Sequence, residues 1–187
     1  MHSAYFLLAL GILLVALISV TAYYYARSLR ARKYPYGKWE TLLKRLAPVN
    51  RDNIAMVARD FVDESGNRRI DEDPLDLDPS QIWSLVGGLK GLEVLEKNSA
   101  VFVDLVFYVQ QWYPEALSIT EQLRQDAREV EFHVGRLRGA AKLGKLESCF
   151  PDYAPRAVAI YYTMSRCVLD LYEGANLPGL ADLQRTL

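Results

Sequence analysis

Between Ala4 and Tyr25 the chain reads AYFLLALGILLVALISVTAYYY, with no Asp, Glu, Lys, Arg, Asn or Gln. A bilayer core of about 30 Å asks for roughly 20 apolar residues at helical rise, and this run is long enough. It stops at a basic cluster, Arg27, Arg30, Arg32 and Lys33, followed by Lys38. A cleaved signal peptide is the competing reading, because Val20-Thr21-Ala22 places small residues where a signal peptidase would cut. Such a signal has a basic front and a shorter apolar stretch. Here only His2 precedes the run and the cations follow it. The expectation is therefore a retained, single-pass anchor in the inner (cytoplasmic) membrane. The excess of Lys and Arg on its C-terminal side puts the N-terminus outside and the rest of the chain in the cytoplasm. Tyr23, Tyr24, Tyr25, Tyr34, Tyr36 and Trp39 suit the aromatic belt at that interface.

The organisation this implies is a short extracytoplasmic N-terminus over 1–3, a transmembrane helix over 4–26, a basic juxtamembrane linker over 27–50 and a soluble domain over 51–187. The last is long enough to bury a core of its own. Within the linker, residues 37–47 set Trp39, Leu42, Leu43 and Leu46 on one helical face and Lys44 and Arg45 on another. Such a helix lies on the bilayer or packs on the domain.

The domain reads as all-helical. Residues 51–64 carry Ile54, Val57, Ala58 and Phe61 at helical spacing, with Asn50 or Asp52 as cap. Asp78-Pro79 is a helix start, a capping carboxylate followed by a proline in the first turn. From there apolar residues run to Tyr113, weakened at Gly87, Gly88 and Gly91 and open to interruption at Asn98-Ser99. Residues 101–109 are apolar nearly all round, which predicts a central buried helix with Asp104 inside it, paired to an Arg of a neighbouring helix. After Pro114, Ala116, Thr120, Leu123, Ala127, Val130, Val134, Leu137, Ala141 and Gly144 form a heptad seam with small residues for close approach. Pro151 closes the connection to a last long helix from about Ala154 to Glu173, stopped by Gly174, with Ala154, Val158, Tyr161, Tyr162, Ser165, Leu169 and Tyr172 inward. Long helices with short turns give an antiparallel helical bundle.

Chemistry is sparse. The acidic loop from Asp63 offers Ser65, Asn67 and Asp71 to calcium, but Arg68 stands where the loop needs glycine and Pro74 where it needs a bidentate Glu. Two histidines exclude a His-rich metal centre, and Glu129, Glu131 and His133 lack the spacing of a di-iron bundle. Cys149 and Cys167 have no metal spacing and read as reduced thiols in a cytoplasmic domain. A net charge of −1 argues against a general nucleic-acid binder. No cofactor, metal or catalytic motif is expected, so the chain is not read as an enzyme. Arg136, Arg138, Lys142 and Lys145 line up as a surface for anionic lipid or an acidic partner. A small-molecule pocket among Trp83, Trp112, Tyr161, Tyr162 and Asp104 is the alternative to a role in protein contacts.

Residues 137–144 read LRGAAKLG. This resembles the Leu-Lys-Gly-Ala-Ala-x-x-Leu-Gly run of histidine phosphotransfer domains, which are helical bundles with that run following the phosphorylated histidine. In this register the phosphohistidine position falls on Gly135. His133 lies two residues earlier, about 200° around a helix. The resemblance implies a bundle that lacks its phosphoacceptor. The reading that emerges is a membrane-anchored adaptor, or an accessory subunit of a membrane assembly, contacting lipid through 4–26 and other proteins through its bundle. A reporter fused at Leu187 is expected to be active only as a cytoplasmic reporter. Activity of a periplasmic reporter there, or a mature N-terminus at Tyr23, overturns the anchor.

Overall fold

A computed structural model describes the backbone of residues 2–33, 35–59, 61–62, 77–177 and 179–187, and the side chains of 10–25, 39–59, 61–62, 77–177 and 179–187. Among the described residues the chain forms eight helices and no strand: α1 (His2–Lys33), α2 (Pro35–Leu43), α3 (Arg51–Ala58), α4 (Pro79–Val86), α5 (Gly88–Val109), α6 (Ala116–Lys142), α7 (Leu146–Gly174) and α8 (Leu180–Thr186). They fall into two compact units, Met1–Glu40 and Thr41–Leu187. The calcium-loop residues, 63–76, lie outside the described residues.

The first unit is dominated by α1. From Leu10 to Tyr25 every described side chain is exposed. Leu13, Val15, Leu17 and Ile18 are all more than 60% exposed, so the described stretch has no face turned to a core. Ser19 and Thr21 bond within the helix, Ser19 Oγ donating to the Val15 carbonyl and Thr21 Oγ1 to the Leu17 carbonyl, each at 2.8 Å. Among the described residues no helix is long and apolar enough to cross a membrane. The described apolar side chains cover Leu10–Tyr25, about 24 Å of helix. The expected span over 4–26 runs past them at both ends, and the side chains of 4–9 and 26 lie outside the described residues.

The second unit is a bundle of three long helices with short ones around them. Arg138, late in α6, meets Glu93 and Glu96, early in α5, while Arg124, early in α6, lies over Phe107, late in α5. Arg136, late in α6, lies over Tyr153, early in α7. Both neighbours of α6 therefore run antiparallel to it. The central helix is α7, not the 101–109 segment as expected. It packs against α3, α4, α5, α6 and α8, and from Ala154 to Tyr172 it is buried on nearly every side. In α5, by contrast, Phe107 is 47% exposed.

Several boundaries differ from those expected. Asp78 does cap α4, in a capping box with Gln81, and Pro79 sits in the first turn. The break that follows falls at Gly87 and Gly88, with φ of +81° and +66°. Asn98-Ser99 does not interrupt α5, because Ser99 Oγ folds back on the Leu95 carbonyl at 2.8 Å. Gly91 is required there, since a Cβ would lie 1.7 Å from the Val86 carbonyl oxygen. Helix α7 begins at Leu146 and runs through Pro151 and Pro155, eight residues ahead of the expected start. It ends at Gly174, the expected boundary, but the left-handed residue that closes it is Asn176 (φ 48°) rather than the glycine. Leu177 N–H reaches the Tyr172 carbonyl and Asn176 N–H the Glu173 carbonyl, which closes a Schellman turn.

The expected α6 seam is buried at Ala116, Thr120, Leu123, Val130, Val134 and Leu137, while Ala127 and Ala141 are half-buried. Asp126, His133 and Ala140, seven residues apart, form a second buried line beside it. One helix packed between two others needs a wider buried face than a two-helix seam provides. Asp104 is half exposed rather than buried, and it does pair with an arginine: Arg45 Nη1 lies 2.7 Å from its Oδ2.

Residues 41–50 are fixed to the bundle by one buried amide. Asn98 Oδ1 accepts from the Ala47 N–H at 2.9 Å. Its Nδ2 donates to the Ala47 carbonyl at 2.8 Å and to the Tyr161 hydroxyl at 3.3 Å. Burial pushes the Tyr161 phenol up to about 12, so it stays protonated in this contact. Asn98→Ala strips partners from buried groups on two segments and is expected to cost about 2–4 kcal/mol. Lys97→Ala, one exposed residue away, should stay within about 0.5 kcal/mol. Thermal unfolding of the purified chain followed by circular dichroism measures both.

Candidate functional site

The turn between α6 and α7 organises the surfaces that remain open. Gly144 does not extend the seam, as expected, but ends the helix: its φ is +66° and it is exposed. Lys145 N–H donates to the Ala140 carbonyl at 2.9 Å and Gly144 N–H to the Ala141 carbonyl at 3.2 Å. This is the glycine-dependent Schellman closure.

Before the turn, α6 presents an outer face that is largely exposed and meets α7 at its edge, where Phe132 packs on Tyr153 at 6.4 Å. Phe132 is 57% and Leu143 74% exposed. Between them lie Gly135 and Gly139, and a Cβ built on either meets nothing within 4 Å. The face is thus open helix surface between two apolar side chains. From Phe132 to Leu146 the sequence holds no carboxylate. Arg136, Lys142 and Lys145 are exposed there, as is Arg128 one turn before. The Arg136 guanidinium lies 5.7 Å from the Tyr153 ring centroid. Arg138 leaves the expected basic quartet, because its Nη2 is 2.7 Å from Glu96 Oε2 and its Nε 3.3 Å from Glu93 Oε1.

His133 is turned inward at 6% exposure, against Phe132 and Tyr153, with Nε2 3.6 Å from Glu129 Oε1. Gly135, the position that matches the phosphohistidine, is exposed. The two therefore occupy opposite sides of α6.

Beyond the turn, Pro79, Ser80 and Trp83 of α4 face Gly144, Leu146, Glu147 and Phe150 across an open cavity of about 680 Å³. Trp83 and Phe150 meet edge to face at 5.0 Å. Of the expected aromatic pocket, only Trp83 takes part. Trp112 packs on Tyr108 at the other end of α5, Tyr161 is buried on Asn98, Tyr162 lies beneath Arg166, and Asp104 is held by Arg45. Sequence reasoning passed over Phe132 and Leu143, although both are large apolar residues that fall off the heptad seam.

Among the described residues no group of three His, Cys, Asp or Glu is placed to hold a metal ion. Both cysteines are free and half-buried. Burial, then Asp170 and Asp126, pushes the Cys167 thiol up, away from the reactive thiolate. No protein family, no curated protein and no solved structure matches this chain.

An exposed imidazole is needed for phosphoryl transfer from a response regulator, and α6 offers Gly135 outward and His133 inward. The purified chain mixed with phosphorylated response regulators is expected to gain no acid-labile phosphate. Its appearance on His133, and its loss in His133→Ala, would make this a signalling relay.

Proposed function

We propose that this chain is a single-pass, membrane-anchored helical protein that works through protein contacts, as an adaptor or accessory subunit of a membrane assembly. The observation that carries the reading is the outer face of α6. There Phe132 and Leu143 stand exposed around the open surface of Gly135 and Gly139. An apolar patch rimmed by charge marks a protein contact more often than a bare solvent face. Arg128, Arg136, Lys142 and Lys145 surround it, so the partner that fits is an amphipathic helix with an acidic flank.

The anchor is supported by the sequence from Ala4 to Tyr25 and by α1, whose described aliphatic side chains are exposed on all sides and whose Ser19 and Thr21 bond to its own carbonyls. Arg27, Arg30, Arg32, Lys33 and Lys38 support a cytoplasmic bundle and an outside N-terminus. No catalytic role is proposed.

The test is purification of the full chain from membranes in mild detergent, with identification of co-purifying proteins. Phe132→Glu places a carboxylate beside the glycine surface and is expected to remove the specific partners. It should leave the fold intact, because Phe132 is 57% exposed and meets His133 and Tyr153 edge on. Arg138→Ala, which breaks only the tie to Glu93 and Glu96, should retain them, and raising the salt should weaken the association. An identical set of partners with Phe132→Glu, or recovery of the chain outside the membrane fraction, defeats the proposal.

A further inference from the structure

We propose that the cavity between the start of α4 and the α6–α7 turn binds a small organic cation with an apolar body, held by Trp83 and Phe150 and read by Glu147. This goes beyond the adaptor reading and uses a different surface. The cavity, about 680 Å³, falls in the size range of small-molecule sites. Its walls are mostly apolar, from Pro79, Trp83, Leu146 and Phe150, with one hydroxyl at Ser80 and one carboxylate at Glu147. That is the usual make-up of a ligand site: an apolar surface with few polar groups to fix orientation.

The walls are held in place from several directions. Trp83 lies against Gly88, where a Cβ would come 2.7 Å from its Cζ2, and Gly88 has φ +66°. A side chain at 88 would displace the indole. Phe150 supports the other side of Trp83, edge on at 5.0 Å. The capping box of Asp78 and Gln81 fixes the first turn of α4, and the Schellman closure at Gly144 fixes the start of α7. Yet Trp83 remains 41% exposed, so part of the indole is open to a ligand.

The charge selects the ligand. Among the described residues lining the cavity, Glu147 is the only ionisable one, and it is exposed. Lys145 is near in sequence but does not line it. The amides at the start of α4 are capped by Asp78, and Glu147 lies in the first turn of α7, so both helix ends already have a carboxylate nearby. A phosphate or carboxylate ligand would meet Glu147 with like charge. A quaternary ammonium is attracted by both the carboxylate and the indole face.

Isothermal titration of the full chain in dodecyl maltoside, with empty micelles as blank, tests this. Benzyltrimethylammonium is the probe, benzoate the anionic counter-probe, and phosphocholine separates a lipid headgroup from a free cation. The cation is expected to bind at one saturable site, and benzoate not to bind. Glu147→Gln should weaken the cation roughly ten-fold and Trp83→Ala at least as much. Glu147 is exposed, so Glu147→Gln keeps the test valid if Trp83→Ala misfolds. Tighter binding of phosphocholine assigns the same site to a headgroup. Absence of saturable binding up to about 10 mM, equal affinity in the Glu147→Gln variant, or preference for benzoate overturns the proposal.

Discussion

The bundle depends on the burial of α7. This helix supplies the shared wall for α3, α4, α5, α6 and α8, and between Ala154 and Tyr172 almost no side is left for water. Burial on all sides also explains how α7 carries Pro151 and Pro155. Each proline removes a backbone donor and crowds the carbonyl four residues earlier, which in an isolated helix breaks the chain. Here Phe150, Ala154, Pro155, Ala157 and Val158 are all buried, so tertiary packing holds the segment helical against its local preference. Ala58 and Val62 pack with Ala159 of α7 in a buried cluster flanked by Phe61 and Tyr162.

Much of this was legible in the sequence, and what was missed has a common cause. The cap at Asp78-Pro79, the α6 seam and the helical class follow from local rules of capping and periodicity. The start of α7 does not, because proline is read locally as a stop while packing decides otherwise. Gly174 and Asn176 show the same limit: both suit a left-handed cap, and the helix boundary falls at Gly174 while Asn176 takes the left-handed backbone. Asn98 was read as a helix breaker because its amide competes with the backbone in short-range terms. Its true partners, Ala47 and Tyr161, are 51 and 63 residues distant, beyond any window of sequence pattern. Asp126 and His133 were passed over as core because polar residues are normally outside. The candidate surfaces were the least legible part. Arg136, Arg138, Lys142 and Lys145 look alike in sequence, and only the antiparallel approach of α5 separates Arg138 from the rest.

Charge in the bundle is divided between fastening and display. Arg45–Asp104 ties the segment after α2 to α5, and Arg138 with Glu93 and Glu96 ties α6 to α5. All of these groups are partly exposed, so each pair contributes at most about 1 kcal/mol to stability. Their effect on register is more specific, because Arg138 meets acids on successive turns of α5 and a shifted helix would lose both. The cations left over from the expected quartet, Arg136, Lys142 and Lys145, lie at the end of α6 and on the turn, in a stretch from Phe132 to Leu146 that holds no carboxylate.

That turn joins the two surfaces assigned a role here. Leu143 closes the outer face of α6, Gly144 lines the cavity, and Leu146 begins α7 on the cavity wall. The turn satisfies both the Ala140 and Ala141 carbonyls with Gly144 in the left-handed backbone region. A side chain at 144 would strain this backbone and move Leu143 and Leu146 together. The outer face and the cavity therefore meet at one turn, whose left-handed backbone at Gly144 sets the positions of both Leu143 and Leu146.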